Sequence, residues 1–108
     1  MSILDERERA FERQFANEEE REFLAHAARN RMIGEWAAGL MGLDDVSGYA
    51  AAVVRSDLGK AGGADVLRKV SGDLSAAGMG VGAAEVSKRM EEFLAVARHQ
   101  IQAGERTV

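Results

Sequence analysis

Apolar residues recur along most of this chain at helical spacing, and the pattern is clearest near its end. Val86, Met90, Phe93, Leu94, Ala97 and Ile101 gather on one stripe of a helix, while Lys88, Arg89, Glu91, Glu92 and Arg98 fall largely on other faces. Gly82 with Glu85 three residues later marks a start and Gly104 an end, which predicts a helix over 83–103. A second segment opens with Asp44 or Asp45 as N-cap and carries Val46, Tyr49, Ala50, Val53, Val54 and Leu58. It is expected to stop near Lys60, before Gly62 and Gly63. A third opens at Asp65, sets Val66, Leu67, Val70, Leu74 and Ala77 on one face and ends at Gly78.

The first helix is the long one, from Asp5, which pairs with Glu8 as a cap, to Met41. From Phe23 onward, Leu24, Ala27, Ala28, Met32, Ile33, Trp36, Ala37, Leu40 and Met41 cover more than half of its circumference. That end is therefore expected to be buried on several sides. Four helices joined by turns at 42–44, 61–64 and 78–82 predict an all-α, antiparallel four-helix bundle.

The pattern breaks near residue 22. Residues 1–22 hold eight acidic and four basic side chains, whereas the rest of the chain holds ten of each. After Met1, the only large apolar groups there are Ile3, Leu4, Phe11 and Phe15, and ANEEERE leaves two turns without an apolar contact before Phe23. We read a charged, mobile N-terminal arm over 1–22 and a helical body over 23–108. Phe11 and Phe15 lie one turn apart, at i and i+4. They suit either a solvated terminus or two anchors for a partner's cleft, with Arg7, Arg9 and Arg13 available to pair with carboxylates.

Composition narrows the function classes. The chain has 108 residues, a net charge of −4, six aromatic side chains and no Cys. A single small domain is expected, without disulfides, thiolate metal sites or a cysteine nucleophile. Acidity argues against nucleic acid, whose affinity comes largely from clustered Lys and Arg. No apolar run approaches a membrane span and MSILDERERA lacks a signal-peptide core, so the expected compartment is the cytoplasm.

Apparent chemical motifs are weak. Gly78–Ala83 has the letters of a dinucleotide fingerprint but follows a helical pattern where that motif needs a strand. Leu58–Gly63 fails the Walker spacing, since Val54 and Ala61 stand where Gly and Ser or Thr are required. Glu22 and His26 are one turn apart, but no second ligand set accompanies them. No catalytic residues and no metal site are expected, and no cofactor is required. One polar cluster stands out: Arg29, Asn30 and Arg31 interrupt the first helix, with Arg68, Lys69 and Arg89 as further candidates. These residues are either solvated helix faces or a shared anion site for a nucleotide.

The runs D5-E-R-E-R-A-F-E-R-Q-F-A16, E18-E, F23 and A28-R-N-R-M-I-G-E-W-A-A38 resemble the zeta subunit of alpha-proteobacterial F-type ATP synthases, an ATPase-inhibitor family. Y49-A, V53-V, D57, A61-G, D65-V, R68-K-V, D73-L, A76-A-G and K88-R-M-E-E follow in the expected order, so the likeness covers nearly the whole chain. The resemblance implies a four-helix bundle whose N-terminal segment inserts into the catalytic head of the synthase and blocks ATP hydrolysis. Carried onto this chain, Phe11 and Phe15 become the anchors and Arg7, Glu8, Glu12 and Arg13 the polar contacts. ADP or ATP is implied as a regulatory ligand. A second reading keeps the partner but not the inhibition: a nucleotide-sensing or assembly subunit, membrane-associated only through the synthase.

Overall fold

The computed structural model describes residues 3–59 and 63–104, with side chains described for 7–9 and from 17 onward. The described residues form four α-helices and no strand: α1 (Ile3–Met41), α2 (Val46–Arg55), α3 (Ala64–Ala76) and α4 (Ala83–Gln102). At about 1.5 Å per residue, a helix of 39 residues accounts for most of the 64 Å long dimension of the molecule.

Local chemistry sets the helix ends. Asp45 is the N-cap of α2, its carboxylate accepting from the Gly48 N–H at 2.9 Å, which relieves one of the orphan donors of the first turn. α2 ends at Arg55, a turn earlier than the apolar spacing suggests. The Ser56 hydroxyl donates to the Val53 carbonyl at 2.6 Å, and Asp57 turns to accept from the Gly59 N–H at 3.0 Å. Leu58 therefore leaves the helix and the apolar stripe. α3 closes with a Schellman turn, in which Gly78 takes φ +76° and the Met79 and Gly78 N–H groups donate to the carbonyls of Leu74 and Ser75. α4 spans nearly the expected range.

α1 is the element on which the others pack. Gly34 lies against α2, and a Cβ there would sit 2.8 Å from the Ala50 Cα and 3.2 Å from Val53. The missing side chain lets the two helices approach closely. A larger cluster joins Ile33 and Ala37 of α1 to Val53, Val66, Val70, Leu74, Val86 and Met90. A smaller one, nearer the N-terminus of α1, is made of Ala25, Ala28 and Ala97, with Met32, Leu94 and Ile101 against it.

α1 is buried on several sides, as its apolar pattern predicts, with α2, α3 and α4 all packed on it, but two of the apolar positions are left out. Phe23 is 72% accessible and Leu40 is also exposed. Alanines at positions 25 and 28 bring α4 in on one side, and Phe23 is left on another.

Candidate functional site

The chemistry that the sequence placed on the first helix divides into an N-terminal stretch and a polar layer inside the body. Of the N-terminal candidates, Arg7 and Glu8 are exposed on α1. The side chains of Phe11, Glu12, Arg13 and Phe15 lie outside the described residues. Residues 17–23 are all exposed, and the earliest described core residue is Ala25.

At the level where the core begins, α1 and α4 are joined by charge. Arg98 donates through Nε to both Glu22 oxygens at 3.2 Å and through Nη2 to Oε1. The His26 ring Nε2 sits 3.1 Å from the same oxygen, one turn along α1. The Arg98 hydrogen bonds are the main reason the Glu22 carboxyl lies below its ordinary value; partial burial opposes the shift and His26 adds to it. Both partners of this clasp are substantially exposed, so its geometry orients the helices more than it stabilises them.

Below the clasp lies the Arg29-Asn30 pair. Arg29 is 3% and Asn30 1% exposed. The Asn30 carbonyl oxygen accepts from Arg29 Nε at 2.9 Å, and its amide donates to Asp57 at 2.8 Å, fastening α1 to the loop after α2. Asn30 thus uses both ends of its amide to satisfy groups that the fold has removed from water. Burial pushes the Arg29 guanidinium below its ordinary value, while nearby Asp57 opposes the shift. Gly63, the N-cap of α3, takes φ +70°, a left-handed conformation that favours glycine, and a Cβ there would displace the tip of Arg29, whose Nη2 lies 2.9 Å from that position. His26, Arg29, Ser87, Glu91 and Arg98 line a cavity of about 330 Å³ between α1 and α4.

The remaining cationic candidates have local partners. Arg68 is exposed and pairs with Asp65 at 3.1 Å; Lys69 donates to Asp73 at 3.1 Å and lies 5.4 Å from the Tyr49 ring. The Tyr49 hydroxyl donates to the same Asp73 oxygen at 2.7 Å, and burial followed by that hydrogen bond raises its pKa. Arg89 stacks 5.6 Å from Trp36 and approaches Glu92 at 3.6 Å, while Arg31 is half-buried on α1. Among the described residues, no hydrogen bond or ion pair joins Arg31, Arg68, Lys69 and Arg89 to one another. The structure adds Glu22, Asp57 and Arg98 to the residues worth testing. The Glu22-His26 spacing hinted at a local pair, but Arg98 is 76 positions from Glu22 and gave no local signal.

A helical body preceded by an exposed stretch at residues 17–23 fits the comparison with protein families. The model of ATPase inhibitor subunit zeta matches residues 1–100. The chain belongs to that family. It is accordingly an inhibitor subunit associated with ATP synthase, a regulatory protein and not an enzyme. Searches of the curated proteins and of the solved structures returned no match. Among the described residues no helix is long and apolar enough to cross a membrane, and no cluster of three or more His, Asp or Glu is placed to hold a metal ion.

Proposed function

We propose that this subunit inhibits ATP hydrolysis by lodging the N-terminal part of α1 in the catalytic head of an F-type ATP synthase, on the cytoplasmic side of the membrane. One observation carries the reading: α1 begins at Ile3, yet the first described core residue is Ala25. At about 1.5 Å per residue, roughly 30 Å of helix precedes the body's core. Phe11 and Phe15 are the anchors in this reading, flanked by Arg7, Glu8, Glu12 and Arg13. Each buried ring would contribute roughly 1.5–3 kcal/mol. The body is an antiparallel four-helix bundle in this account. Two sets of pairings support that: Gly34 with Ala50 and Asn30 with Asp57, then Glu22 with Arg98 and Trp36 with Arg89. In each set the α1 numbers rise as the partner's fall.

Inhibition of this kind needs no bond chemistry, because a subunit that binds one conformation of a rotary cycle raises the barrier to leaving it. ADP or ATP acts as a regulatory ligand in the same proposal. Arg29 and Arg98, which line one cavity, are the groups best placed to meet its phosphates. Titrating the cognate ATPase with the full chain and with a variant lacking residues 1–16 tests the central claim. The full chain is expected to stop turnover and the truncated one to leave it running. Equal inhibition by both would refute insertion, and co-purification without inhibition by the full chain would favour an assembly subunit.

A further inference from the structure

Phe23 and Leu58 are the most exposed large apolar side chains described, 72% and 73% accessible; Phe23 lines a groove, and Leu58 is the chain neighbour of two residues that line it. The groove lies between α1, the end of α2 and the segment that follows it, with a volume of about 420 Å³. Phe23, Ala27 and Val54 supply its apolar surface, and Glu19, Glu22 and Asp57 its carboxylates. Leu58 stands between Asp57 and Gly59, both of which line it. A phenylalanine left in water while alanines fill the adjacent helix contact is not serving this chain's own core. We propose that the groove is a second docking surface for the synthase, separate from the N-terminal segment. It receives an amphipathic helix of the synthase that presents an apolar side chain next to Lys or Arg. The partner in this inference, and the argument from position below, rest on the synthase reading above; the groove and its charge do not depend on insertion.

Charge decides the occupant. Glu19, Glu22 and Asp57 line the groove together with His26, and among the described residues no Lys or Arg lines it; Arg98 already pairs with Glu22 and the Asn30 amide with Asp57, so Glu19 is the carboxylate that meets an incoming cation. A cationic helix is attracted to that rim, whereas a second copy approaching through the same face would set its own acidic stretch against this one. Anionic lipid would be repelled for the same reason. Position adds a second argument. Phe23 is eight residues after Phe15 on one continuous helix, about 12 Å along the axis, so seating the N-terminal segment in the head carries the groove toward the same complex.

The experiment titrates the cognate ATPase complex with full-length chain carrying Phe23→Ala, Leu58→Ser or Glu19→Lys, and follows thermal unfolding of each variant alone. The expected result is an unchanged unfolding midpoint, an apparent affinity weakened about tenfold by Phe23→Ala, and unchanged maximal inhibition at saturation. Glu19→Lys weakens binding more at low salt than at high salt. The chain lacking residues 1–16 still co-purifies with the complex, and Phe23→Ala in that background abolishes the co-purification. Wild-type affinity of both Phe23→Ala and Leu58→Ser would overturn the proposal. So would self-association of the chain, detected by light scattering, that Phe23→Ala abolishes. Failure of the insertion reading looks different: the truncated chain would then inhibit normally, whatever stands at position 23.

Discussion

Around Ile33 the first helix is held by valine, leucine and methionine side chains from all three other helices; around Ala25 it is held by α4, through alanines, the half-buried Leu94 and Ile101, and an exposed ion pair. The apolar area removed from water differs accordingly, and so does the free energy that resists opening. The gradient suits the insertion proposed above. In that proposal the body stays folded on the Ile33 side while the end that leads to the N-terminal segment is the easier part to reorient.

Three substitutions test the gradient. Leu74→Ala removes a fully buried side chain from the large cluster and should destabilise the body by about 2–5 kcal/mol in urea unfolding. A loss of less than about 1 kcal/mol would mean that the Ile33 side is not the firm end. Asn30→Ala strips the partner from Arg29 Nε and from Asp57 at once, between the two clusters. About 1–3 kcal/mol is expected, with amide exchange rising around Asp57 before it rises around Val70. The smallest effect belongs to the clasp. Glu22→Gln should cost about 0.2–1 kcal/mol at neutral pH, because both partners are exposed.

The clasp also has a pH signature. Because Arg98 holds the Glu22 carboxyl below its ordinary value of 4.5, the folded state binds that proton less readily than the unfolded one. The stabilisation is present above the unfolded pKa and is lost as pH falls through the folded one. The difference between the native chain and Glu22→Gln should therefore persist at neutral pH and shrink below about pH 4. A difference that stayed constant down to pH 3 would show that Glu22 contributes through packing rather than charge.

The helices and most of their ends were legible along the chain because both depend on short-range rules: apolar residues three and four apart, an Asp before the first turn, Gly after the last. α4 was readable for that reason, and so was the long α1. The end of α2 was not, since Leu58 satisfied the helical spacing while the Ser56 and Asp57 side chains captured the backbone in a turn. Arg29 and Asn30 drew attention as an unusual polar run, but nothing in the run said that one would be enclosed and the other divided between Arg29 and Asp57.

The amino-acid order by itself determined the all-helical class, the charged N-terminal stretch and the family, because composition, periodicity and residue runs are one-dimensional properties. Only the tertiary structure decided which face of α1 was covered. That choice depends on how closely α2 and α4 approach Gly34, Ala25 and Ala28, and the approach left Phe23 facing water with a carboxylate-rimmed groove beside it.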